Sequence, residues 1–311
     1  MASVSMAPDR TQISLWVQAI RPFAFPATIV PIIVAIAWAL FNNVGVIYWE
    51  LIPVILIAGI LFHTGTNLVG EYFDYKKGVD RPETFGSSRI LVDNLMKPKT
   101  VLYGGYASFA LGFALGLILV AYHGYPMLIL GIIGLIGGMF YTGTPFGYKY
   151  IALGDLFVYL MFGPLMVIGA NFALTGIIDY NLFLISIPVG CLVASILIAN
   201  NLRDIKHDKV AGITTTAVLL GAKATKFEYI AIVALAYVSV IVMAATGFIP
   251  LWTLLILISL KPAIDNIKMI AAADQSNPQA IMMGDVKSAQ LHLLFGVLYT
   301  VGLVLGYFFY Q

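Results

Sequence analysis

The chain of 311 residues has one cysteine, and only 10% of its residues are charged. The single thiol, Cys191, excludes an internal disulfide framework and any multi-cysteine metal site. It lies in an apolar run, where a buried structural role is expected. The shortage of charge excludes more. A soluble domain carries about a quarter charged residues. A chain that is 60% apolar, with a mean hydropathy of +0.94, has lipid as its natural solvent. Histidine is scarce too. His63, His123, His207 and His292 are scattered, and nothing in their spacing supports a paired haem site. No secretory leader is expected, because residues 1–19 contain no long apolar core. Residues 11–20 read instead as a short amphipathic segment at the membrane interface, with Ile13, Leu15, Trp16 and Ile20 apolar.

What is abundant is apolar sequence in runs of roughly 20 residues, the length of a membrane span. The runs are 23–41, 50–70, 101–121, 125–142, 153–175, 181–201, 227–246, 249–271 and 290–310. The expected fold is all-α: a polytopic bundle of about nine transmembrane helices in one domain over residues 1–311, with 1–20 as the interfacial segment. Gly131, Gly134, Gly137 and Gly138 suit close helix packing. Asn171 and Asn181 fall near one face of the bilayer, where interhelical or interfacial hydrogen bonds are expected. With nine spans, all 17 Lys and Arg residues fall in the N-terminal tail, the even loops and the end of the eighth span. The odd loops hold Glu50, His123 and Asp179 but no Lys or Arg. The positive-inside rule then places the basic side in the cytoplasm, in an inner membrane, with the working surface facing the cytoplasm.

The acids gather on that same side. Residues 67–80 (NLVGEYFDYKKGVD) and 200–208 (NNLRDIKHD) each begin at the end of an apolar run. Asn67, Glu71 and Asp74 share a helix face, as do Asp204 and Asp208. Asp80 follows Asp74, with Gly78 as a candidate helix end. The two stretches resemble each other, which hints at an internal repeat that sets two acidic helix ends opposite one another. Carboxylates at this spacing, interleaved with Lys76, Lys77, Arg203 and Lys209, suit Mg²⁺ and a polyphosphate, because Mg²⁺ takes one or two carboxylates plus phosphate and water. The plainer reading is a solvated helix end whose acids pair with nearby lysines. Lys149, the one charge in its loop, is either a carboxylate partner or a topology anchor. Asp155 reads first as a helix cap and second as a substrate contact. Asn200 and Asn201 read as metal or diphosphate positioning groups.

These strings resemble the UbiA superfamily of intramembrane prenyltransferases, whose two acidic motifs match residues 70–74 (GEYFD) and 204–208 (DIKHD). Residues 86–88 (GSS), 141–146 (YTGTPF), 153–158 (LGDLFV), 162–169 (FGPLMVIG) and 293–298 (LLFGVL) are similar to the branch that acts on 1,4-dihydroxy-2-naphthoate in menaquinone synthesis. Gly70-Glu71 stands where the family has Asn-Asp. Residues 212–215 (GITT) replace a Gly-Lys-x-Thr, so one diphosphate contact is absent, with Lys209 or Lys223 as candidate replacements. The resemblance implies transfer of a polyprenyl group from polyprenyl diphosphate to an aromatic acceptor, with loss of CO₂, giving demethylmenaquinone. It implies Mg²⁺ held by Glu71, Asp74, Asp80, Asp204 and Asp208, with Asp74, Asp208, Lys77 and Arg203 as catalytic residues. It further implies substrate contacts from Asn67, Tyr72, Tyr141, Lys149, Asn200, Asn201 and Lys209. Other acceptors of the superfamily, such as 4-hydroxybenzoate, homogentisate, chlorophyllide or a lipid, remain open. So does a secondary transporter, although the spans lack the mid-membrane charges that transporters tend to carry.

Overall fold

The structure is a computed structural model and describes residues 11–43, 45–84, 88–274 and 277–309. Arg10, and Gly86 and Ser87 of the 86–88 string, lie outside the described residues. The helices in chain order are α1 (Gln12–Ile20), α2 (Pro26–Phe41), α3 (Ile52–Lys77), α4 (Pro98–His123), α5 (Tyr125–Met139) and α6 (Gly154–Leu160). They continue with α7 (Met166–Thr175), α8 (Leu182–Val210), α9 (Thr216–Leu220), α10 (Ala222–Ala245), α11 (Leu260–Ala271) and α12 (Gly284–Phe309). Among the described residues there is no β-strand, only isolated bridges.

The boundaries follow local chemistry. Proline opens α2, α3, α4 and α5 in the first two positions, where its missing N–H costs nothing. Gly78 ends α3 with φ +71°, a left-handed conformation that glycine reaches without steric cost. Between α6 and α7 the chain makes a π-helical stretch, Met161–Leu165, around Pro164. Wider turns of this kind accommodate a proline inside a membrane helix. The pair therefore runs as one 22-residue rod, Gly154–Thr175. A Cβ on Gly163 would meet the Gly190 backbone of α8 at 2.9 Å, so this crossing depends on small residues.

The acidic motifs lie at one end, at the close of α3 and α8. At the other end Trp38 donates to Asp179 at 2.7 Å and His123 meets the Ala173 carbonyl. Among the described residues, six helices are long and apolar enough to cross a membrane, or seven if α1 and α2, bent by 51°, count as one span. Two of the expected spans depart from a simple helix. The run at 125–142 forms a helix of only 15 residues, α5. The run at 249–271 splits: Leu251–Ser259 is a 3₁₀ helix, and α11 is amphipathic, with Lys261 and Asp265 paired in the open. Nine residues in the 3₁₀ form reach about 18 Å, against about 13.5 Å as an α-helix. The longer rise per residue lets this short apolar run reach further than an α-helix of the same length would.

Cys191 is buried. The α1 helix lays Leu15 and Ala19 inward, and Trp16 lies where a Cβ on Gly104 would stand. Asn171 donates to the Ala35 carbonyl across helices. Gly137 and Gly138 lie against Met161 and Thr66, whereas Gly131 faces open space.

Candidate active site

Both acidic helix ends open on one cavity of about 410 Å³. Its mouth is polar and its depth apolar: Glu71 and Asp74 line one end, Ile55 and Leu119 the other. Ile55 and Asp74 sit on the same helix, and at 1.5 Å per residue they stand about 28 Å apart. That is close to the roughly 30 Å of a bilayer's hydrocarbon core.

On α3, Asn67, Glu71 and Asp74 share the cavity face that their spacing requires. Asn67 donates to the Ile20 carbonyl at 3.1 Å, which seats α1 beside the mouth. Glu71 is fully buried and accepts from Arg21 at 2.7 Å and from the Ser88 amide at 3.2 Å. Asp74 accepts from Lys149 at 2.8 Å and from the Tyr150 hydroxyl at 2.9 Å. The αL turn at Gly78 folds the chain back, so the Val79 and Asp80 amides both meet the Asp74 carbonyl. Asp80 therefore joins the cluster from the loop, not from a longer helix. Burial, with Asp74 adding to it, pushes the Asp80 carboxyl up to about 7. For Lys149 burial pulls downward, but Asp74 outweighs it and holds the ammonium above its usual value.

On α8, Asp204 and Asp208 also reach the cavity. Asp208 accepts from Thr215 at 3.2 Å. Asp204 is gripped by its neighbour Arg203 through two bonds, at 3.0 and 2.8 Å. The loop after α5 and the loop after α8 are tied by a small parallel bridge. The Ala152 amide donates to the Thr214 carbonyl, and the Thr214 amide to the Tyr150 carbonyl. The bridge fixes Lys149 and Tyr150, which serve the first motif, relative to Asp208 and Thr215 of the second.

Several expected site residues sit elsewhere. Arg203 does not line the cavity; beyond Asp204 it pairs with Asp285 and reaches Asn200 and the Met282 carbonyl. Its charge ties α8 to α12. Lys77 is exposed and lies over the Tyr150 ring at 5.0 Å. Tyr72 packs on Phe73 and Lys76, outside the cavity. Lys209 and Lys223 are exposed and also off its wall. Tyr141, Asn200 and Asn201 do line it. Lys149 lines it too, and its carboxylate partner is Asp74 of the first motif. Asp155 is no cap: α6 has no side-chain cap hydrogen bond, and Asp155 accepts from Asn201 at 2.9 Å. Sequence reasoning missed Arg21, whose signal was a lone charge directly before an apolar run. It also missed Tyr150 and Thr215.

Among the described residues, no three His, Cys, Asp or Glu side chains converge to hold a metal ion alone. Two buried carboxylate oxygens of the cavity wall, Glu71 Oε1 and Asp80 Oδ2, have no hydrogen-bond partner. Hard oxygens left over in this way fit a cation that takes a few carboxylates and completes its shell with phosphate and water.

The chain is also similar to known proteins. The model of the UbiA prenyltransferase family matches residues 28–283. The 1,4-dihydroxy-2-naphthoate octaprenyltransferase of Bacillus subtilis (strain 168) is 31% identical over 299 residues, covering 94% of this chain and 93% of that protein. UbiA prenyltransferase domain-containing protein 1 of Homo sapiens is 30% identical over 300 residues, covering 96% and 85%. The structure of a UbiA homolog from Archaeoglobus fulgidus bound to DMAPP and Mg²⁺ matches with a TM-score of 0.62 at 16% identity, covering 93% of this chain and 100% of that one.

Proposed function

The chain belongs to the UbiA prenyltransferase family, and from that premise we propose that it transfers a polyprenyl group from polyprenyl diphosphate to 1,4-dihydroxy-2-naphthoate. Carbon dioxide and pyrophosphate leave, and the product is demethylmenaquinone in its quinol form. One observation carries the reading: a single cavity joins two acidic helix ends to an apolar channel about as deep as the membrane core. A diphosphate head fits the mouth and an isoprenoid tail the depth. The similarity to the naphthoate enzyme of Bacillus subtilis supports this acceptor over others of the family.

Glu71, Asp74 and Asp80 on one side, with Asp204 and Asp208 on the other, are the groups that would hold Mg²⁺. The metal, when bound, supplies positive charge to the departing pyrophosphate. The protein's own cations at the mouth are Arg21 and Lys149, each already held by a carboxylate. Held in this way, they keep their positions as negative charge develops on the leaving oxygen. Tyr141 presents a ring to the cavity and shelters the allylic cation through its π face. The apolar walls keep water from that cation until the acceptor ring attacks.

Purified enzyme with a polyprenyl diphosphate should release pyrophosphate only when an acceptor is present. In a panel it should prefer 1,4-dihydroxy-2-naphthoate to 4-hydroxybenzoate and homogentisate. EDTA should abolish turnover and Mg²⁺ restore it. Preference for another acceptor overturns the assignment within the family, and full activity in EDTA overturns the metal.

We place the protein in the cell's inner membrane with the cavity mouth facing the cytoplasm, because the basic residues gather at that end. A reporter inserted after Lys149 should read cytoplasmic, and one after Thr246 should read from the opposite side. The same reading at both positions would refute the alternating arrangement.

A further inference from the structure

Behind the second acidic motif lies a buried pair whose geometry has a chemical consequence. Asn201 is 3% exposed and lines the cavity; Asp155, 5% exposed, stands behind it in the first turn of α6 and off the cavity wall. The Asn201 amide nitrogen donates to Asp155 Oδ1 at 2.9 Å. A carboxylate can only accept, so the neighbouring charge decides which end of the amide faces it. The nitrogen and oxygen of a carboxamide point apart. With the nitrogen held by Asp155, the oxygen turns away from it, toward the cavity that Asn201 lines.

On α8, Asn201, Asp204 and Asp208 are spaced i, i+3, i+7 and share one face. All three reach the cavity. We infer that Asp155 is a positioning residue: by holding the amide nitrogen, it presents the Asn201 carbonyl oxygen as a neutral ligand for the divalent cation beside Asp204 and Asp208. A neutral oxygen adds a hard ligand without adding repulsion between carboxylates. Asp155 touches neither substrate nor metal and acts only through Asn201. The inference rests on the reading that the acidic helix ends hold a divalent cation.

The test is Mn²⁺ binding to the purified full-length protein in detergent, with inorganic pyrophosphate present, followed by electron paramagnetic resonance. Asp155→Leu should weaken Mn²⁺ about 10-fold or more, the usual effect of losing a group that orients a metal ligand. The exchange Asp155→Asn with Asn201→Asp should recover binding. The new amide at 155 then donates to the carboxylate at 201, whose free oxygen faces the cavity. If Asp155→Leu binds Mn²⁺ as the unaltered protein does and only melts earlier, Asp155 is structural and the inference fails. If the unaltered protein binds no Mn²⁺ with pyrophosphate, the metal reading itself has failed. Should Asp155→Leu not fold, Asp155→Asn and the exchange carry the test: a loss in the single variant that the exchange does not recover also overturns the inference.

Discussion

Asp208→Asn should lower turnover about 100-fold or more at saturating donor and acceptor, and Asp74→Asn by a similar factor. Each change removes one negative charge from the mouth of the cavity; at 74 it also leaves the buried Lys149 ammonium without its ion-pair partner, so thermal unfolding is measured beside the rate for that variant. An amide at 208 still meets Thr215, and an amide at 74 still has an oxygen for Tyr150 or Lys149. For Asp208→Asn loss of folding is therefore not the expected cause, and that variant is the cleaner of the two tests. A factor of 100 corresponds to about 2.7 kcal/mol on the barrier, the order expected when a principal electrostatic contact is lost. Lys206→Ala, at an exposed position on the same helix end, is the control and should keep its rate. Initial rates by pyrophosphate release decide the matter. Near-normal turnover in either Asn variant would mean that the acids merely solvate a helix end.

The second large effect concerns stability. Arg21→Ala strands Glu71, a fully buried carboxylate whose ion pair is with Arg21. Breaking a buried pair from one side costs about 3–5 kcal/mol, because the remaining charge has nowhere to go. Arg21 is itself 22% exposed, so the lower end applies, about 3 kcal/mol. In a protein of this size that corresponds to a fall in the thermal midpoint on the order of 5–10 °C. Arg21 also holds φ at +55°, a strained conformation for a side-chain-bearing residue, which persists only where its surroundings enforce it. Thermal unfolding in mild detergent gives the measurement. Arg21→Ala combined with Glu71→Ala should be more stable than Arg21→Ala alone, since no stranded charge remains. If Arg21→Ala melts like the parent, the pair does not anchor α1.

Much of this architecture was legible in the sequence. The apolar runs at 50–70, 101–121, 153–175, 181–201, 227–246 and 290–310 each fall, to within one residue, in a helix long and apolar enough to cross a membrane. Helical spacing put Asn67, Glu71 and Asp74 on one face, and the cavity is on that face. The partners of those residues were not legible. Spacing says which way a side chain leaves its own helix; it is silent on what the next helix brings to meet it. Arg203 and Lys77 looked equivalent as cations beside an acidic motif. Packing turned one inward to Asp285 and left the other on the surface. Lys149 looked remote because its loop is distant in sequence, and the Ile151–Thr214 bridge is what brings that loop in. Asp155 looked like a cap because acids at helix starts usually are caps, and only the neighbouring helix reveals Asn201. The 3₁₀ stretch at Leu251–Ser259 was hidden for a similar reason, since an apolar run has the same composition in either coil.

The Ile151–Thr214 bridge also bears on how such a chain can change over evolutionary time. Two backbone hydrogen bonds lock the lengths of two loops together, although some sixty residues separate them along the chain. An inserted residue near Tyr150 would move Lys149 away from Asp74, and one near Thr214 would move Thr215 away from Asp208. Neither could be repaired within its own loop. Indels among related chains should therefore avoid both of these loops.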